Sequence, residues 1–75
     1  MFDENTIVFT VSDAGKDETG KLRLNIATKN SFANEIIDKE DMKIDNLHLG
    51  ELYVTMYDLA KTFNELNYAV LFEVG

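Results

Sequence analysis

At 75 residues the chain has room for one domain, and a unit of that size buries only ~60% of the surface its unfolded chain exposes. Its 45% hydrophobic and 28% charged residues suit a folded protein, while the lack of cysteine excludes disulfide and zinc-thiolate staples, so a modest core must suffice or be completed by a second copy or a partner. The 14 acidic against 7 basic residues give a net charge of -7, which disfavours direct contact with nucleic-acid phosphates or an anionic membrane, because both depend on Lys and Arg.

Residues 1–5, Met-Phe-Asp-Glu-Asn, carry neither a basic n-region nor a long apolar stretch, so no secretory leader is read there. The first ordered signal is Thr6-Ile7-Val8-Phe9-Thr10-Val11, with Ile7, Phe9 and Val11 alternating onto one face. Leu22, Leu24 and Ile26 alternate in the same way within Leu22-Arg23-Leu24-Asn25-Ile26. Pairing Val11 with Leu22, Phe9 with Leu24 and Ile7 with Ile26 puts all six apolar side chains on one face of a β-hairpin. Between the strands, residues 12–21 are rich in turn formers and charge, and predict a long, mobile hairpin loop. Its carboxylates Asp13, Asp17 and Glu18 lack the alternate-ligand pattern of an EF-hand and read as solvated turn charge.

Next, Asn30 or Ser31 caps a short helix near 31–40 with Phe32, Ala33, Ile36 and Ile37 toward the core, and Met42-Lys43-Ile44 is a candidate brief strand. The strongest signal follows: Leu49, Leu52, Met56, Leu59, Phe63 and Leu66 recur at spacings of 3, 4, 3, 4 and 3, the period of a helix. Asp45 is the expected N-cap, with Ile44 meeting Leu49 as a hydrophobic staple and Glu51 favourably placed in the helix dipole. Gly50 argues for a later start, and Asn67 suits the left-handed position beyond the far end. The flanking positions carry no Glu/Lys pairs, so a sheet rather than a second helix is the expected partner of this face. Residues 68–74 then form a third strand, apolar on both faces until Glu73, a pattern expected inside a sheet or under cover on two sides. The run from Tyr68 to Phe72 is the longest apolar stretch, far below the ~20 residues of a membrane-spanning helix, and a cytoplasmic protein is the expectation.

The fold class is therefore α+β: a β-hairpin, a short helix, a long amphipathic helix and a C-terminal strand, with both helices on one face of a three-stranded sheet. Phe9, Leu24, Leu52, Met56, Leu59, Phe63, Val70 and Phe72 are the expected core.

Chemistry is sparse. The chain has no cysteine and a single histidine, and no nucleophile, phosphate-loop or zinc-protease motif occurs. It reads as a non-enzyme without a cofactor. His48, with Asp45 and Glu51 three residues to either side, carries the alternative of a metal-binding protein or small enzyme. Glu35, Asp38, Asp41 and Asp45 recur every three or four residues and would make an acidic stripe if one helix ran that far, at a spacing that invites comparison with a phosphate backbone. Val54 and Tyr57 lie off the apolar stripe of the long helix as a candidate binding patch. On the second sheet face, Val8, Ala69 and Leu71 are candidates for a homodimer interface, as is an exposed strand edge. The leading expectation is a non-enzymatic regulator or inhibitor, of the kind phages and other mobile elements supply, that binds a larger, basic protein stoichiometrically. A nucleic-acid mimic that blocks a DNA- or RNA-binding protein is the alternative.

Overall fold

A computed structural model describes residues 5–75, so the leader reading of residues 1–4 lies outside it. The elements follow as β1 (Thr6–Lys16), β2 (Leu22–Ala27), α1 (Ser31–Lys39), α2 (Leu49–Glu65) and β3 (Ala69–Val74). The expected α+β architecture is present. Asn30 caps α1, its Oδ1 accepting from the Ala33 amide at 2.9 Å. At the far end of α2, Asn67 adopts the predicted left-handed conformation with φ 67°. Among the described residues no helix is long and apolar enough to cross a membrane.

The sheet is mixed, in the order β2-β1-β3, with β2 antiparallel and β3 parallel to the central β1. Ile7, Phe9 and Val11 stand opposite Val70, Phe72 and Val74 of β3, and Val11 opposite Ile26 of β2. One face of the sheet is therefore apolar, and both helices lie on it. Ile7, Phe9 and Ile26 form one buried cluster with Ala33 and Ile37 of α1 and Leu52, Leu59 and Phe63 of α2. Phe9 is its hinge: its ring lies 5.9 Å from that of Phe63 and is stacked 5.5 Å from that of Phe72. Leu24, Met56, Val70 and Phe72 pack against this cluster while half-buried.

Five local expectations are corrected. The hairpin pairs Val11 with Ile26 and Asp13 with Leu24, not Val11 with Leu22. The slip is four residues along β2, an even number, so every side chain keeps its face. It arises because β1 continues to Lys16 through an irregularity at Gly15, whose φ of 85° suits only glycine. In place of a ten-residue loop, the turn is confined to residues 17–21 and closed by the Asp17 amide donating to the Lys21 carbonyl at 3.0 Å. β3 is an edge strand rather than an interior one, because β1 takes the centre.

The remaining two corrections concern the segment before α2. Residues 44–47 run beside the outer edge of β2: the Leu24 amide donates to the Leu47 carbonyl at 2.9 Å, the Leu47 amide returns a bond of 2.8 Å, and the Ile26 amide reaches the Ile44 carbonyl at 2.7 Å. The contact with the sheet thus lies later than residues 42–44 and is no strand: Ile44 and Leu47 bond to β2 on either side of a bend at Asp45 and Asn46. It buries Leu47, and because Asn46 turns left-handed at φ 56° and Leu47 is bonded to Leu24, the helix cannot begin at Asp45. His48 is the N-cap, with Glu51 as the acidic N3 residue that accepts from the His48 amide at 2.9 Å. Leu49 consequently opens the helix at the surface instead of forming a staple, and Gly50 falls in the first turn, where its helix penalty is small.

Candidate interaction surface

A helix that buries Leu52, Leu59 and Phe63 turns the opposite side of each turn to solvent. On α2 that side is not uniformly polar. Tyr53, Val54 and Tyr57 are 63%, 61% and 68% exposed, and Leu49 precedes them at 51%. Scattered single apolar groups are ordinary on a protein surface, but three large side chains within two turns, spaced i, i+3 and i, i+4 to Tyr57, make a ridge. Val54 joins Leu47, Gly50 and Lys43 around one shallow depression beside the ridge, and Tyr57 joins Ala60, Lys61 and Asn64 around another. Val54 and Tyr57 are exposed off the apolar stripe, as the sequence reading has them, and Tyr53, which flanks that stripe, joins them.

Beside the ridge lies an acidic group. Glu40 and Asp41, just after α1, line a third depression with Asp58 and Thr55 of α2, and Lys43 is the cation among them. Glu51, Asp58 and Glu65 follow at intervals of seven along α2, a spacing that returns to the same side of a helix. That periodicity was available in the sequence and is the signal by which Asp58 could have been found. The four carboxylates read as one stripe do not form it. Glu35 and Asp38 are exposed on α1, but the helix ends at Lys39, Asp41 turns to φ 51°, and Asp45 lies in a bend beside β2. The regular row on which a likeness to a phosphate backbone was argued is absent.

His48 belongs to a different constellation from the one its sequence neighbours suggest. Its Nδ1 lies 3.2 Å from Glu51 Oε1, and its Nε2 lies 3.5 Å from Asp17 Oδ2. Asp17 in turn holds the Arg23 guanidinium at 3.0 Å, while Arg23 reaches Glu51 at 3.8 Å and the Asn46 carbonyl at 3.3 Å. Asp45 takes no part in these contacts, and among the described residues no group of three His, Asp or Glu side chains is placed to hold a metal ion. The network ties the hairpin turn to the start of α2. Asp17 is thus a half-buried organiser of its turn, not the solvated charge its loop position suggests: its Oδ1 accepts from the Thr19 hydroxyl, the Thr19 amide and the Lys21 amide at 2.6, 2.9 and 3.0 Å.

These bonds have a pH consequence. The Thr19 hydroxyl, followed by the Lys21 amide, holds the Asp17 carboxyl well below the usual carboxylate range, and the His48 amide lowers Glu51 in the same direction. Both groups bind protons less readily in the folded chain than in the unfolded one. Their contribution to stability is therefore complete above the unfolded value of ~4 and declines progressively as pH falls below it. Melting the parent and Asp17→Asn from neutral pH to pH ~2 tests the point. The variant melts lower at neutral pH and the gap closes as pH falls; a gap that stays constant across the range would show that Asp17 does not contribute through its charge.

The second face of the sheet carries Val8, Thr10, Ala27, Ala69, Leu71 and Glu73. Val8 and Leu71 are half-buried and Ala69 is exposed. No element of the described chain covers this face, and a shallow depression between Val8, Thr10 and Ala27 is bounded by Lys29 and Glu73. No protein family, curated protein or solved structure shows significant similarity to the chain.

Proposed function

We propose that the protein is a non-enzymatic regulator or inhibitor that acts in the cytoplasm by stoichiometric binding to a larger, basic protein, with the outer face of α2 as the contact. The observation that carries this reading is the exposed ridge of Tyr53, Val54 and Tyr57 beside the acidic group of Glu40, Asp41 and Asp58. Tyrosine on a rigid helix supplies large contact area at little conformational cost, and tyrosines are enriched among the residues that dominate binding energy. The acidic flank, on a chain of net charge -7, raises the encounter rate with a basic partner and disfavours acidic ones. Glu35, Asp38 and Asp45, exposed elsewhere, add to that long-range field and are assigned no direct contact.

The test is a comparison of baits. Parent protein and a Val54→Ala/Tyr57→Ala double variant are used to capture proteins from a lysate of the source organism at low salt, and the captured proteins are identified by mass spectrometry. A basic protein retained in about equal stoichiometry by the parent, released by raising the salt and missing from the variant's eluate is the expected result. Identical eluates from the two baits would remove α2 from the binding surface.

A further inference from the structure

The two edges of the sheet are treated differently. That of β2 is closed by residues 44–47, whereas that of β3 has no described neighbour. The direction of its open groups follows from its pairing with β1: the Ala69 amide donates to the Asn5 carbonyl at 2.7 Å and the Gly75 amide to the Val11 carbonyl at 2.8 Å. The odd-numbered residues face β1, so alternation turns the main-chain N–H and C=O groups of Val70, Phe72 and Val74 outward. Exposed edges are normally blunted by lysine, proline, a bulge or several charges. Ala69-Val70-Leu71-Phe72-Glu73-Val74 has none of these apart from the one charge of Glu73, and Val74, on the helix-bearing side of the sheet opposite Val11, is 92% exposed.

We propose that two copies of the chain pair through this edge, β3 antiparallel to β3 of the second copy, about a two-fold axis at Phe72. The register follows from which groups point outward. With Phe72 opposite its counterpart, Val70 faces Val74 of the second copy, and all three outward residues of each strand exchange both main-chain bonds. A two-fold axis at Leu71 or at Glu73 uses only two of the three, and the one at Glu73 also sets two like charges opposite each other, which is destabilising. In the Phe72 register Glu73 faces Leu71 instead, and the strand's single charge meets no like charge. Val74 packs beside Val70, which accounts for an apolar residue left bare in the monomer. The two three-stranded sheets become one continuous sheet, and each copy keeps its α2 ridge. Because each copy carries a net charge of -7, pairing tightens as salt rises, opposite to the salt response of a basic partner on α2.

Sedimentation equilibrium of the full chain, from low to high micromolar concentration at two salt concentrations, measures the association, and amide exchange by NMR reads the register. The expected result is a dimer in which the amides of Val70, Phe72 and Val74 gain protection with concentration, while those of Leu71 and Glu73 are protected throughout. Val74→Pro removes an amide that is free in the monomer, at an edge position where proline is tolerated, and weakens pairing at least ~10-fold because the bond is lost at both symmetry-related positions. Its circular dichroism stays that of the parent. Leu71→Lys keeps the dimer, since residue 71 faces Glu73 of the second copy. A parent that stays monomeric at high micromolar concentration, a Val74→Pro variant that pairs as tightly as the parent, or a monomeric Leu71→Lys variant would overturn the proposal, the last by moving the interface to the open face of Val8, Ala69 and Leu71.

Discussion

Phe63→Ala lowers the stability of the protein by ~3–5 kcal/mol, the usual cost of emptying a buried phenylalanine site. The phenylalanine is fully buried and its ring lies against Phe9, which in turn stacks on Phe72, so one truncation opens a cavity between α2 and the two strands it bridges. Few contacts compensate. Ordinary domains have ~5–15 kcal/mol in total, and one this small lies toward the lower end because so little of its surface is buried. The loss therefore corresponds to a drop in the thermal midpoint on the order of 20 °C or more. Chemical denaturation of parent, Phe63→Ala and Tyr57→Ala measures it: the first variant loses most of the parent's stability, and the second, altered only at an exposed position, stays within ~0.5 kcal/mol of the parent. A Phe63→Ala protein that unfolds at the parent's denaturant concentration would show that α2 does not dock by this face.

The reason that face was legible in advance lies in the tolerance of period-based patterns to local error. The alternation of Ile7, Phe9 and Val11 sets a strand face whatever the register, and the four-residue slip along β2 left every side chain on its predicted side. The 3.6-residue period of α2 likewise identified Leu52, Met56, Leu59 and Phe63 without knowledge of where the helix begins. Features decided by a single hydrogen bond or by topology were not legible. Asp45 is a better N-cap than His48 by residue preference, yet the left-handed turn at Asn46 and the paired bonds between Leu24 and Leu47 keep the chain out of helical conformation until residue 48 and override it. The apolar pattern of β3 fits an interior strand as well as an edge strand, and only the choice of β1 as the centre separates the two.

The candidate surface divides along the same line. Val54 and Tyr57 were found because they violate the helical period, and a violation is visible in sequence. Asp58 escaped because its neighbours in the acidic group, Glu40 and Asp41, come from the other side of the interhelical connection. The row of Glu35, Asp38, Asp41 and Asp45 was an extrapolation of helical spacing past the point at which α1 stops, where the Glu40 amide reaches back to Ile36 and Asp41 turns left-handed. Charge alone cannot signal that stop, since acidic residues are equally at home in a helix, a turn or an extended segment facing water. The polar network of Asp17, Arg23, His48 and Glu51 was out of reach for the same reason: it joins a hairpin turn to a helix start 31 residues away.

For the partner proposed above, the expected effect of Tyr57→Ala is binding weaker by at least ~2 kcal/mol, about 30-fold in Kd, through the dissociation rate. Tyr57 is 68% exposed, so the free protein loses little when its ring is removed, and the expected effect falls almost wholly on the proposed complex. The acidic group acts at a different stage. Surface charges are felt over ~10 Å at 0.1 M ionic strength, before contact is made, so neutralising Asp41 and Asp58 to asparagine slows association and flattens its salt dependence while leaving the residence time nearly unchanged. Measuring both rate constants for the two variants at two salt concentrations separates the contributions. The expected pattern is a salt-insensitive rise in the dissociation rate for Tyr57→Ala and a salt-sensitive fall in the association rate for the neutralised protein. If neither variant changes either rate, the outer face of α2 is not where the partner binds, however basic that partner is.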